Sequence, residues 1–168
     1  MLARLRRLLL FLIAGAMAVP AAATVSVSFT NPERYTDAGK YYDGQSETTQ
    51  RELERYLKQL GKRYLAPGQT LTVEVLDIDL AGRYEPRGPD LYEVRILRDG
   101  VDFPLMKLSY VLEAEGRILL SGDETIADRD YRFHSSTPSS STSLSYEKRM
   151  LRDWFRVRFT ERRPLPGP

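Results

Sequence analysis

Carboxylates are the one class of side chain in this sequence whose spacing could do chemistry. Asp77 and Asp79 stand two apart in a run that alternates as a strand, so both project from one face. Two carboxylates placed this way could share a hard cation or divide acid and base roles. The same spacing describes the solvated face of a half-buried strand opposite Ile78 and Leu80, which is the commoner cause. Asp123, Glu124, Asp128 and Asp130 form a second acidic group. A calcium loop needs a mid-loop glycine and a distal bidentate acid. The run Asp128-Arg129-Asp130-Tyr131 supplies neither, so an aspartate-capped turn is the simpler reading, and no metal or cofactor is expected at either place.

Other chemistries are poorly represented. The chain has no cysteine and one histidine, His134, which removes thiol chemistry, disulfides and any mechanism needing two histidines. Serines crowd residues 135–143, but no Gly-x-Ser-x-Gly elbow occurs, and the glycines are scattered singly and not gathered into a phosphate-binding loop. Ten tyrosines, among them Tyr35, Tyr41 and Tyr42 on one loop, could line a groove or cover a sheet edge. The largest charge asymmetry is at the end: residues 146–163 carry seven basic and three acidic side chains. Lys148, Arg149, Arg152 and Arg156 fall on one arc of a helix beside Met150, Leu151, Trp154 and Phe155. Such a helix could meet an anionic surface or an acidic partner. Alternatively its apolar face docks on a sheet, with the arginines as its solvated back.

Those residues need elements to position them. Residues 24–30 alternate as a strand; Leu53, Tyr56, Leu57, Leu60 and Tyr64 recur at helical spacing until Pro67-Gly68. Leu71, Val73 and Val75 share one parity and Leu76, Ile78 and Leu80 the other, which predicts a β-bulge near Val75-Leu76 or a strand buried on both faces. A loop is expected from Ala81 through Pro89, then a short strand at Tyr92–Ile96. A hairpin follows, Met106 to about Ile126, turning at Glu115-Gly116. Ser145 is placed to cap the last helix. The expected fold is α+β: a mainly antiparallel sheet of about five strands, order β-α-β-β-β-β-α, with two helices on one face. Helix one lies between the first two strands, which could therefore be parallel neighbours. Residues 134–144 read as a flexible Ser/Thr-rich loop and 161–168 as a frayed tail.

The N-terminus explains the overall charge. Arg4, Arg6 and Arg7 precede an apolar run, Leu8–Val19, that stops at Pro20, and Ala21-Ala22-Ala23 supplies small residues for a peptidase. A spanning helix needs about 20 apolar residues, so residues 1–23 read as a cleavable signal, with the cut after Ala23 and no membrane span left behind. Losing three arginines and no acid takes the formal charge from +2 to −1, which removes the argument for a nucleic-acid partner. Residues 24–160 then form a single domain.

The leader, Val25-x-Val27-x-Phe29, the segment Val75-Leu76-Asp77-Ile78-Asp79-Leu80-Ala81-Gly82, Asp102-Phe103-Pro104 with Met106-Lys107-Leu108, and Tyr146-Glu147-Lys148-Arg149-Met150-Leu151 together resemble a Gram-negative bacterial family of secreted proteins. That family is catalogued as a domain of unknown function. The resemblance implies the periplasm and a non-enzymatic default, and it assigns no site residues. Three expectations follow: a periplasmic binding or protein-interaction domain; an envelope-surface adaptor using the basic helix on anionic lipid or an unknown acidic envelope protein; and a carboxylate-based metal-dependent hydrolase.

Overall fold

The computed structural model describes residues 21–38, 45–87, 92–98, 101–133 and 144–161. The bulk of the leader, the Ser/Thr tract with His134, Tyr41 and Tyr42, and the tail from residue 162 lie outside them. Strand β1 (Thr24–Phe29) leads through a 3-10 turn at Pro32–Arg34 toward helix α1 (Gln45–Tyr64). Then come β2 (Gln69–Asp79), β3 (Arg83–Arg87), β4 (Tyr92–Ile96), β5 (Leu105–Ala114), β6 (Arg117–Ala127) and helix α2 (Ser145–Phe159).

Four strands form one sheet in the order β1-β2-β5-β6. The β1–β2 pair is parallel, Thr24 opposite Thr70 through Phe29 opposite Val75, as the intervening helix requires. The other two pairings are antiparallel, so the sheet is mixed. The parity slip in β2 is a bulge: Leu76 is the extra residue between Val75 and Asp77. It leaves Leu76 exposed and returns Ile78 and Leu80 to the core beside Leu71, Val73 and Val75. In β5, Met106, Leu108, Tyr110 and Leu112 face the same core. The β5–β6 turn uses two left-handed residues, Glu115 (φ 52°) and Gly116 (φ 71°), which suits the twist of a tight hairpin.

Both helices cover one face. From α1, which packs on β1 and α2, Leu53, Leu57 and Leu60 are buried; from α2, Met150, Leu151, Trp154 and Phe155 complete the core. Trp154 and Phe155 stack edge-on, and Tyr64 lies 6.0 Å from Phe155, joining the helices. The α1–β1 approach is close enough that a Cβ on Gly61 would fall 2.1 Å from Cγ2 of Val25. Only hydrogen fits there.

Two expectations change. The stretch read as a loop contains a strand, β3, paired antiparallel with β4 as a separate two-stranded hairpin. Proline cannot donate to a ladder, which weakens the strand signal of this stretch; in a two-stranded ribbon one side is free, and Pro86 pairs opposite Glu93. Ser145 is the first residue of α2, not its cap; Leu144 occupies the cap position without a side-chain hydrogen bond.

Candidate functional site

The basic helix residues do not form one exposed patch. Arg149 has 5 % of its side chain exposed, and its guanidinium donates to Asp128 Oδ2 at 3.0 Å and to the Tyr131 carbonyl. Lys148 pairs with Glu52 of α1 and lies 5.9 Å from the Tyr56 ring. Arg152 contacts Asp153 at 3.5 Å, and Arg156, half exposed, meets Glu161 at 2.8 Å. A cation absent from the expected arc, Arg158, is buried; its Nε lies 2.7 Å from Glu124 Oε1 and its Nη2 donates to Glu124 Oε2 at 2.9 Å. Trp154 Nε1 donates to the same carboxylate at 3.1 Å. Burial and the neighbouring Glu124 push the Tyr110 phenol above its ordinary range. The helix thus turns part of its positive charge inward, which a simple solvated back does not describe.

Asp77 and Asp79 share a face as their spacing predicts, but their environments differ. Thr36 donates to Asp77 twice, N–H to Oδ1 at 2.8 Å and Oγ1 to Oδ2 at 3.0 Å, and Lys107 Nζ lies 3.3 Å away. Burial alone would raise the Asp77 carboxyl; the Thr36 and Lys107 contacts outweigh it and hold it below the usual carboxylate range. For Asp79, burial raises the carboxyl, and the fields of Asp37, Asp77 and Asp102 add to it against Arg83.

These neighbours outline a cleft of about 410 Å³ lined by Thr36, Asp37, Asp79, Gly82, Arg83 and Asp102, with Val101 at its lip. One wall is built by the segment after the 3-10 turn. Tyr35 is buried and donates to the Val75 carbonyl at 2.7 Å, with its phenol pushed up to about 12, chiefly by burial. Asp37 then bridges to β2: its N–H donates to Ile78 O at 2.8 Å, and Leu80 N–H donates to its carbonyl at 3.2 Å. The opposite wall is tied by Gly82 N–H donating to Asp102 O at 2.9 Å. Gly82 has φ +74°, and a Cβ there would fall 2.4 Å from Ile96 O. Arg83 Nε lies 3.3 Å from Asp102 Oδ1 but is otherwise exposed. Among the described residues no three His, Cys, Asp or Glu side chains converge so as to hold a metal ion, so the three carboxylates are not a cation cage.

Asp128 and Asp130 do not contribute to the cleft. Asp128 turns toward Arg149, and Asp130 is exposed, its carbonyl accepting from Phe133 N–H at 2.8 Å. The sequence pointed to Asp79 but not to Asp37, Arg83 or Asp102. Those three stand on different segments with no spacing relation; the Asp37–Asp79 bridge, the Gly82–Asp102 bond and the Arg83–Asp102 contact bring them together.

Residues 23–157 match the family described as "Protein of unknown function (DUF3016)". The chain belongs to that family. No curated protein matches it in sequence. Among solved structures, the DUF3016 chain is similar to protein XCC0632 from Xanthomonas campestris, a DUF330 protein: 13 % identity, 82 % of this chain and 80 % of that one, TM-score 0.35. It is also similar to the PelC dodecamer from Paraburkholderia phytofirmans in two crystal forms. Both show 15 % identity over 79 % of this chain, covering 84 % and 85 % of PelC, with TM-scores of 0.32 and 0.31. At such scores the likeness carries no argument about assembly or role. No described helix is long and apolar enough to cross a membrane.

Proposed function

We propose that this DUF3016 protein is an exported, periplasmic binding or protein-interaction domain without catalysis of its own, and that the acidic cleft is where it meets its partner. Export rests on the leader sequence, residues 1–23. The observation that carries the binding reading is the charge of the cleft. Asp37, Asp79 and Asp102 line it with one arginine, Arg83, which lies 3.3 Å from Asp102, and Asp79 is held above its ordinary range by burial and by its acidic neighbours. A cationic group entering there would relieve that repulsion, and Val101 at the lip offers apolar contact to an aliphatic stem. A lysine-bearing peptide segment is the ligand class that fits. The adaptor reading, with the basic helix on an anionic surface, draws less support, because Arg149 and Arg158 are buried and Lys148 is paired.

The test is a chemical-shift titration of the labelled domain, residues 24–168, with a short lysine peptide at low salt. Shifts confined to Thr36, Asp79, Gly82 and Val101 are expected. An unchanged spectrum, or shifts spread along α2, would contradict the reading. Intact mass of the protein from a periplasmic fraction is expected to correspond to a chain beginning at Thr24.

A further inference from the structure

The β3–β4 hairpin pairs with no strand of the main sheet, and Arg83, Glu85, Arg95 and Ile96 stand outside the hydrophobic core. Its described ties to the body are polar. Arg95 on β4 donates from Nε to Ala81 O and from Nη2 to Glu147 Oε1, each at 2.5 Å. Ala81 N–H donates to the same Glu147 oxygen at 2.8 Å. Just beyond the hairpin, Tyr131 Oη donates to Arg98 O at 3.3 Å. Glu147 has 0 % of its side chain exposed, and its second oxygen, Oε2, is buried without a hydrogen-bond partner. The cation that neutralises it is brought by the hairpin.

We propose that the hairpin is a latch: it undocks from an otherwise folded domain by breaking the Arg95–Glu147 pair, and it re-docks by re-forming it. Burying a carboxylate and a guanidinium takes both out of water, and their attraction only roughly offsets that cost when one oxygen stays unsatisfied. Undocking hydrates both groups and breaks no pairing of the main sheet, so it is less costly than opening that sheet. Supersecondary units open locally in this way, below the free energy of global unfolding. Gly82, with its left-handed backbone, stands at the hairpin's root, and both Gly82 and Arg83 line the acidic cleft. Undocking therefore alters one wall of that cleft. The latch itself does not depend on what the cleft binds.

Native-state hydrogen exchange on the unliganded domain tests this. In the wild type, ladder amides of β3 and β4 are expected to exchange at least about tenfold faster than those of β2 and β5, through an opening insensitive to low urea. Equal protection in the two sets would overturn the proposal. Arg95→Met, which leaves Glu147 buried and unpaired, is expected to speed the hairpin amides by a further tenfold or so while β2 and β5 change little. Uniform acceleration of all strands would overturn it. The double variant Arg95→Met/Glu147→Leu replaces the pair by apolar groups and is expected to return hairpin exchange to the wild-type rate or slower. If Arg95→Met does not fold, the wild-type profile and the double variant still decide.

Discussion

Two aspartates separated by one residue titrate in opposite directions, and the difference is set by what each accepts. Asp77 is lowered by its Thr36 and Lys107 contacts. Its folded-state carboxyl therefore binds fewer protons than the unfolded one, and it contributes stability above the unfolded value near 3.8 that is lost as pH falls through the folded value. Thr36→Val removes the hydroxyl bond, and the acid-induced unfolding midpoint should move to higher pH; an unmoved midpoint would deny Asp77 that role. Asp79 has the reverse sign. Its raised carboxyl disfavours the folded state at neutral pH, and protonation on the way down toward 3.8 relieves this. Asp79→Asn should raise Tm at pH 7 and lose that advantage in acid, as thermal melts at several pH values would show. A lower Tm at pH 7 would mean that the carboxylate is needed to hold the wall together.

The elements owe their relative positions to a few close approaches and buried pairs. Gly61→Ala drives a methyl group into Val25 and should cost about 1–3 kcal/mol, the range for overpacking. Chemical denaturation reads this directly, and a loss below half a kcal/mol would mean that α1 shifts freely on β1. Arg149→Met leaves Asp128 without its main cation and should cost about 3 kcal/mol or more. Arg156→Met, on the exposed side of the same helix, should stay within about 0.5 kcal/mol. Periodicity disclosed most of these elements: the bulge at Leu76, both helices and the β5–β6 hairpin follow from where apolar residues recur. It failed at β3, where Pro86 suppresses the strand signal. It also failed at Arg149 and Arg158, because a helical wheel reports the angle of a side chain and not the buried carboxylate waiting for it.

At the scale of the whole molecule, the fold places its unusual chemistry where the hairpin leaves the sheet. Asp79 was legible as a candidate from its spacing with Asp77; its companions were not. Asp37 reaches it through a bridge to a strand about forty residues on, and Asp102 through the Gly82 turn. Composition carries no trace of such long-range placement. It does carry the charge budget, and with the leader's three arginines set aside the domain that remains is close to neutral.

Calorimetric titration of a short lysine peptide into the wild-type domain and into Asp37→Asn/Asp102→Asn decides whether the acidic cleft is the binding site. Binding to the wild type should be saturable, weaken with salt and fall at least about tenfold in the double variant, with an Arg152→Met/Arg156→Met control unchanged. Binding that survives loss of both carboxylates, or that responds instead to the helix variant, would contradict it.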